Sequence, residues 1–183
     1  MGSLSDMELA YIAGLFDGEG CVAITRHFKK LDGTKRPCEM YTLRVQVTNV
    51  DPRVILPLRE KFGGSLHITK HKSAKQRDTH VWISTSRVAL EFLKAIRPWL
   101  VAKAQQADIA IDFQESKFRH GGRGKTRVTR EYRERERQQY AEITALKFCT
   151  FNPTDFETAA NSGDTQNGQS RAKQGESLGV CND

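Results

Sequence analysis

The sequence has no paired-cysteine motif, no long hydrophobic run and no leader-like N-terminus. Its four cysteines lie far apart, without the Cys-X-X-Cys spacing of zinc sites, so neither a structural metal nor a disulfide framework is expected. No run of about 18 apolar residues is present, so we predict no membrane-spanning helix and no membrane partner. The N-terminus lacks the basic flank and apolar core of a signal peptide. These absences favour a reducing, intracellular setting.

Acidic residues are also in the minority, with 22 Asp and Glu against 29 Lys and Arg, a net charge of +7. Residues 152–183 carry five acids and two bases, a net −3, so the preceding residues 1–151 carry +10. A basic folded region is typical of proteins that bind a polyanion, although basic proteins without such a partner are common. Residues 152–183 are also poor in apolar residues. We therefore predict one domain over 1–151 and a disordered polar tail over 152–183.

Hydrophobic periodicity predicts a chain of mixed helices and strands. The predicted order is a helix over 7–17 with Asp6 as its N-cap, two strands joined by a turn at 31–37, a helix over 51–62, two further strands within 63–72 and 79–86, and helices over 87–96, 99–115 and 130–148, with Ser86 and Thr129 as caps. The fold class is therefore α+β. We expect a four-stranded antiparallel sheet with helices on one face and a polar, basic opposite face.

Alternation in the segment MYTLRVQVTNV separates an apolar face from a face rich in hydrogen-bonding side chains. We assign the following side chains to the open face as candidate nucleic-acid contacts: Thr25, His27, Lys29, Thr42, Arg44, Gln46, His67, Thr69, Lys70, His80 and Trp82. Arg44 is suited to guanine and Gln46 to adenine. Each side chain alone is as commonly solvated as base-reading, so the interpretation depends on the face as a whole.

The segment YIAGLFDGEG places three glycines around two carboxylates. Glycine costs a helix interior up to about 1 kcal/mol relative to alanine, so close packing or chemistry should offset it. Ala10, Gly14 and Gly18 recur every four residues and form a small stripe that lets another backbone approach. If the helix ends at Asp17 and Gly18, then Glu19 lies beyond it, at the rim of the polar sheet face. A carboxylate there either holds a divalent cation against a phosphate or is an ordinary acidic helix end, and the spacing alone leaves both open.

The stretch IAGLFDGEG (12–20) resembles the LAGLIDADG signature of homing endonucleases, with Glu19 where that family usually has aspartate. The resemblance extends over about residues 6–150, because QVTNVDPR (46–53), RPWLVAKAQQA (97–107) and ITALK (143–147) are similar to segments of the single-motif branch. It implies an αββαββα fold whose saddle-shaped sheet straddles the DNA major groove.

The resemblance also implies roles for individual residues. Glu19 and the backbone carbonyl of Gly18 would bind Mg²⁺, which Mn²⁺ or Ca²⁺ can replace for binding. Asn49 takes the place of a polar residue that positions water, and Arg53 and Lys103 take the places of basic residues near the scissile phosphate. These four side chains, Glu19, Asn49, Arg53 and Lys103, are the predicted catalytic set.

A single motif implies half an enzyme, because cutting two strands needs two metal-binding acids. We therefore expect a homodimer with twofold symmetry, with Ala10, Ala13, Gly14 and Asp17 at the interface and a near-palindromic target. A strand of ~8 residues spans about 26 Å, or roughly 8 base pairs per half-site.

The expected function is site-specific double-strand cleavage of DNA by an intron-encoded enzyme. The alternatives are an intron RNA maturase, a non-cleaving DNA-binding protein on the same scaffold, or a basic structural or regulatory DNA-binding dimer. The segment HGGRGKTR (120–127) lacks the strand and helix context of a phosphate loop, so no nucleotide cofactor is expected. The sequence leaves open whether the compartment is a chloroplast, a mitochondrion or a bacterial cytoplasm.

Overall fold

Five α-helices and four strands succeed one another in the described part of the computed structural model, which covers residues 4–29, 38–70, 77–120 and 129–148. The helices are α1 (Asp6–Glu19), α2 (Pro52–Phe62), α3 (Ser86–Ile96), α4 (Ala104–His120) and α5 (Arg130–Phe148). The strands are β1 (Gly20–Lys29), β2 (Cys38–Asn49), β3 (Ser65–Thr69) and β4 (Thr79–Thr85). This order is the predicted one. The turn predicted at 31–37 and the tail predicted at 152–183 lie outside the described residues.

The strands form one antiparallel sheet in the order β1-β2-β4-β3. Gly20 lies opposite Val47 in the ladder between β1 and β2, and Gln46 lies opposite Ile83 in the ladder between β2 and β4. The buried core lies between one face of this sheet and the helices. The predicted α+β class, with its αββαββα order and helices on one face of the sheet, is confirmed.

Aromatic side chains hold α1 and α3 on the covered face of the sheet. The ring of Phe92 in α3 lies 5.1 Å from the ring of Phe16 in α1 and 4.8 Å from that of Trp82 in β4, measured between centroids. All three rings are fully buried, as are Leu43 and Val45 on the inner face of β2. Because α1 is anchored through Phe16, its opposite side faces away from this core.

The first helix is longer at both ends than its pattern predicts. Ser5, rather than Asp6, is the N-cap, because the Ser5 hydroxyl accepts the backbone N–H of Glu8 and the Glu8 carboxylate accepts the backbone N–H of Ser5. This reciprocal arrangement is a capping box. At the other end the helix continues through Gly18 and ends at Glu19, so the predicted end at residues 17–18 is wrong.

Only a residue without a Cβ atom fits at position 20, where α1 passes into β1. A Cβ atom at Gly20 would lie 2.3 Å from Cδ2 of Phe16 and 2.4 Å from its carbonyl oxygen. The N–H of Gly20 donates to that same carbonyl. The chain therefore passes from α1 into β1 without a loop, and Glu19 lies at the junction between the helix and the sheet.

The predicted facing of β4 is wrong. Trp82 is fully buried, its indole N–H donates to the carbonyl of Gly63 at 2.7 Å, and it lies on the helix-covered face of the sheet. His80 shares that face, because it lies two residues from Trp82 in the same strand. The segment HVWIS has three large apolar residues in a row, so alternation alone cannot choose between the two faces. Burying the larger indole decides the choice.

Two helix boundaries also differ from expectation. Thr85, not Ser86, is the N-cap of α3. The helix predicted over 99–115 begins at Ala104 and runs to His120, because Arg97–Trp99 form a 3₁₀ turn and four further residues separate the two elements. Thr129 does cap α5, since its hydroxyl accepts the backbone N–H of Tyr132 at 3.2 Å. Among the described residues, no helix combines the length and apolar character needed to span a membrane.

Candidate functional site

The C-terminal end of α1 presents oxygen atoms and negative charge at the junction with the sheet. Glu19 and Gly18 are both exposed there, and the last turn of α1 contains no basic side chain. Carbonyl groups in a final helical turn lack the amide partners of the helix interior, and the helix dipole is negative at this end. A hard divalent cation such as Mg²⁺ prefers such oxygen ligands. The Glu19 carboxylate and the Gly18 carbonyl therefore fit the predicted metal.

The described part of the chain offers this end of α1 few further metal ligands. Within residues 4–29, 38–70, 77–120 and 129–148, no three His, Cys, Asp or Glu side chains cluster closely enough to enclose an ion. Mg²⁺ commonly keeps several waters and binds through one or two carboxylates together with phosphate oxygens. The remaining ligands at Glu19 would therefore be water, a phosphate or groups of a second chain.

Asp17 joins the end of α1 to the segment that precedes α4. Its two carboxylate oxygens accept the backbone N–H groups of Val101, at 2.8 Å, and Lys103, at 2.9 Å. The Lys103 ammonium donates in turn to the backbone carbonyl of Asp17. This arrangement brings Lys103 to Asp17, in the last turn of α1. Gly18 and Glu19 follow Asp17 directly in the chain. Two of the four predicted catalytic side chains, Glu19 and Lys103, are thus brought to the same end of one helix.

The predicted pair Asn49 and Arg53 lies at the turn from β2 into α2. The side-chain oxygen of Asn49 accepts the backbone N–H of Asp51 at 2.9 Å, and Asp51 caps α2 by accepting the backbone N–H of Arg53 at 2.9 Å. The Arg53 guanidinium also donates to both carboxylate oxygens of Asp51, although the Arg53 side chain is 87% exposed. These bonds from Arg53 lower the pKa of Asp51 to about 2. The structure therefore records Arg53 bound to Asp51 rather than to the end of α1.

The turn that holds Asn49 begins close to the start of β1. Val47 pairs with Gly20, the residue that follows Glu19. Asn49 lies two residues further along β2, so its amide is on the same end of the sheet as the end of α1. Arg53 lines a groove that Leu15 of α1 also lines. Glu19, Lys103 and Asn49 therefore lie at one end of the domain, and Arg53 lies on the groove beside α1.

The open face of β1 and β2 carries the predicted polar side chains. His27 Nε2 lies 2.8 Å from the hydroxyl of Thr42, and the hydroxyl of Thr25 donates to the Thr42 carbonyl at 3.1 Å. Arg44 Nη2 donates to Gln46 Oε1 at 3.0 Å. His67 and Thr69 on β3, and Lys70 beyond it, are exposed, and the side chain of Lys29 lies outside the described residues.

Sequence reasoning missed part of this face. Because the side chains of β4 face opposite to the predicted directions, Val81 and Ile83 replace His80 and Trp82 on the open side. There Ile83 pairs with Gln46. A pairing argument from β2 could have found this. Sequence reasoning also missed that Lys147, near the end of α5, donates to the Cys21 thiol at 3.4 Å. No local pattern links residues so far apart in sequence.

Residues 6–97 match the family described as "LAGLIDADG-like domain". The chain belongs to the LAGLIDADG homing endonuclease family. Its α1 is the LAGLIDADG helix. The exposed acid at the end of this helix, Glu19, is the residue for which the sequence resemblance predicts metal binding. A search of curated protein sequences finds no relative of the chain.

Solved homing endonuclease structures share the fold at low sequence identity. The archaeal intron-encoded homing endonuclease I-Vdi141I, solved in complex with DNA, is 16% identical with a TM-score of 0.59, covering 85% of this chain and 94% of its own. The homing endonuclease I-CvuI, in complex with its target and Ca, is 12% identical with a TM-score of 0.56 and the same coverage, 85% and 94%. The homing endonuclease I-TnaI is 17% identical with a TM-score of 0.52, covering 86% and 99%.

The outward side of the LAGLIDADG helix is exposed and partly apolar. Met7 is 83% exposed and Tyr11 65%, and a Cβ atom at Gly14 or Gly18 would meet nothing within 4 Å. A groove of about 540 Å³ runs beside this side, between α1 and α2. An exposed apolar surface of this kind commonly marks an interaction site.

One predicted interface residue does not lie on that side, and another is bonded within the chain. Ala13 is fully buried in the core, so it has no surface to lose on association. The Asp17 carboxylate is occupied by the backbone of residues 101 and 103, so it bonds within the chain. Ala10 and Gly14 are exposed as expected. The i, i+3 spacing of small residues cannot by itself show which of them point inward.

Proposed function

We propose that this LAGLIDADG protein is a site-specific, divalent-metal-dependent DNA endonuclease that acts as a homodimer. One observation carries the proposal: an exposed carboxylate, Glu19, ends the LAGLIDADG helix beside the polar sheet face, and the Lys103 ammonium is bonded to the same helical turn. An acid and a base at one end of a basic, polar face are suited to phosphate chemistry. The solved relatives in complex with DNA support a nucleic-acid partner.

The metal would be held by the Glu19 carboxylate and the Gly18 carbonyl. Mg²⁺ suits this oxygen set, and Mn²⁺ or Ca²⁺ could occupy it. When bound, such an ion lowers the pKa of a coordinated water and neutralises charge on the scissile phosphate. Each chain contributes one such carboxylate at this helix end.

The other predicted side chains would bind and orient the DNA. Lys103 places a positive charge where the phosphate would approach the end of α1. Arg53 can exchange its exposed bond to Asp51 for a phosphate oxygen, because both partners are at the surface. The Asn49 oxygen is already bonded to Asp51, so only its NH₂ group remains to donate to a water or a phosphate.

The homodimer follows from the single acid per chain and from the exposed side of α1. A second copy packed on that side would cover Met7 and Tyr11 and would fill the space above Gly14 and Gly18. A twofold axis there would present two sheets and two acids to the two strands of a near-palindromic target. The proposed location stays intracellular, as the cysteine usage predicts.

The decisive experiment starts from a pool of random-sequence DNA duplexes, because the target is unknown. The pool is selected for binding in Ca²⁺, and the recovered sequence is placed in a plasmid and incubated with Mg²⁺ or with EDTA. We expect Mg²⁺-dependent linearisation that Glu19→Gln abolishes and Glu60→Gln does not, since Glu60 is an exposed acid on α2.

Two other outcomes separate the alternatives. Sequence-specific binding without cleavage in Mg²⁺ or Mn²⁺ would leave a DNA-binding protein on the same scaffold. Preferential binding to a structured intron RNA over any duplex would favour a maturase. Neither result would be compatible with the proposed nuclease.

A further inference from the structure

Two neighbouring side chains on the open face of β2 are bonded to each other. Arg44 Nη2 donates to Gln46 Oε1 at 3.0 Å. An arginine side chain can only donate, so the glutamine atom that it meets must be the oxygen. The pairing therefore fixes the orientation of the Gln46 amide. With one lone pair of its oxygen held by the Arg44 cation, Gln46 presents its NH₂ group as its free donor, and the positive charge beside the oxygen disfavours a ligand that donates there.

The space in front of this pair is open because its neighbours on β1 are small. Arg44 lies opposite Ala23, and Gln46 lies opposite Cys21. Together with Thr25 these four residues line a depression of about 150 Å³ on the open face. Larger residues at 21 and 23 would fill it.

Arg44 also has a donor that the described part of the chain leaves unsatisfied. Its Nε is buried and meets no hydrogen-bond acceptor among the described residues. Because it is buried, this atom is not among the groups that a ligand on the open face can reach. The groups that the pair does present, the outer guanidinium N–H groups of Arg44 and the NH₂ group of Gln46, are donors.

We infer that Arg44 and Gln46 act as one unit that selects guanine at a single position of each DNA half-site. In the major groove guanine presents two adjacent acceptors, N7 and O6, whereas adenine presents an acceptor and a donor, thymine one acceptor beside a methyl group, and cytosine a donor. Donors carried by a cation fit the two adjacent acceptors of guanine better than the mixed or single-acceptor edges of the other bases. The inference rests on the proposed DNA-binding function, and it replaces the adenine contact expected of an isolated glutamine at position 46.

The register also locates the base pair. Ala23, opposite Arg44, lies four residues beyond Glu19 along β1. Four residues of strand span roughly 13 Å at ~3.3 Å per residue, which corresponds to about four base pairs. The selected guanine should therefore lie about four base pairs from the cleaved bond in each half-site.

The test repeats the random-duplex selection in Ca²⁺ with the full chain and four variants. The wild-type motif should contain one strongly preferred G·C pair per half-site. Arg44→Ala should lose the preference at that pair alone and weaken binding to the selected duplex by about 10- to 100-fold. Arg59→Ala, which removes an exposed arginine from α2 on the other side of the sheet, should change neither.

Gln46→Leu separates the pair from a lone arginine. It removes the acceptor that orients Arg44, so the G·C preference should broaden while binding persists. Arg44→Lys, which keeps the charge without the planar guanidinium, is a second probe and should also broaden the preference. Gel filtration and thermal unfolding confirm that each variant is folded.

The outcomes distinguish this inference from the function on which it depends. If the wild type selects no sequence at all, both the proposed function and the inference are overturned. If it selects a motif, but no Arg44 substitution relaxes a G·C pair, or the relaxed pair is A·T, the inference alone is overturned.

Discussion

Asp17 and Lys103 are bonded to each other twice, although 86 residues separate them in the chain. An Asp17 carboxylate oxygen accepts the backbone N–H of Lys103 at 2.9 Å, and the Lys103 ammonium donates to the Asp17 carbonyl. The LAGLIDADG helix is thereby attached at its end to the segment before α4. The family motif thus supplies two acids with different roles. Glu19 is exposed, and Asp17 bonds within the chain and holds the Lys103 side chain at the same helix end.

Asp17→Ala should destabilise the domain and lower cleavage together. It leaves two backbone N–H groups, those of Val101 and Lys103, without acceptors, which should reduce the free energy of unfolding by about 1–3 kcal/mol. Urea denaturation measures this loss. Asp6→Asn, an exposed acid in the first turn of the same helix, should cost less than about 1 kcal/mol. Equal losses in the two variants would contradict a specific role for the Asp17 bonds.

Lys103→Met should affect cleavage more than DNA binding. A positive charge placed against the developing charge on the phosphate is worth about 100- to 1,000-fold in rate, and one charge among many changes affinity modestly. Single-turnover cleavage and equilibrium binding in Ca²⁺ measure the two separately. Lys94→Met is the control, because Lys94 of α3 is paired with Glu115 of α4. A Lys103→Met protein that cleaves at the wild-type rate would falsify the catalytic assignment.

Gly20→Ala should destabilise the domain strongly. A Cβ atom at this position would lie 2.3 Å from the buried Phe16 ring, and overpacking of a core typically costs about 1–3 kcal/mol. The strain would also shift Glu19, so cleavage should fall by more than the folded fraction does. Thermal unfolding and cleavage of the folded fraction check these two effects, and a melting temperature equal to that of the wild type would show that the junction can relax.

Gly14 should behave in the opposite way. A Cβ atom there meets nothing within 4 Å in the single chain, and alanine favours a helix over glycine by up to about 1 kcal/mol. Gly14→Leu should therefore leave the monomer folded and weaken the proposed dimer, because the larger side chain keeps the two helices apart. Sedimentation equilibrium over a concentration series measures this, and Leu56→Ala, an exposed change on α2, is the control. Unchanged self-association in Gly14→Leu would place the dimer contact elsewhere.

Acid should weaken the turn between β2 and α2. Arg53 lowers the pKa of Asp51 to about 2 from an ordinary value of 3.8. A carboxylate whose pKa is lower in the folded state than in the unfolded state stabilises the folded protein at pH values above the unfolded-state pKa. That contribution is lost as the pH falls from about 4 towards 2. Asp51→Asn keeps a capping residue but removes this titration. The difference in unfolding free energy between wild type and Asp51→Asn should therefore shrink over that pH range, and a constant difference would contradict the assigned pairing.

Most element positions could be predicted from the sequence, because periodicity and capping are local. The alternation in β2 identified its inner face correctly, and Asp51 before Pro52 marked the start of α2. The errors lie where local patterns allow two solutions. Ser5 and Asp6 can both cap a helix, and the choice depended on Glu8 reaching back to Ser5.

The sequence by itself determined the element order, the polar face of β1 and β2, and the acid at the end of the LAGLIDADG helix. Only the tertiary structure decided that Trp82 is buried, that Asp17 holds Lys103 beside that acid, and that β4 places Ile83 opposite Gln46. The physical reason is the range of the interactions. Periodicity acts within a few residues, whereas ring packing, strand register and the bonds of Asp17 join residues that only folding brings together.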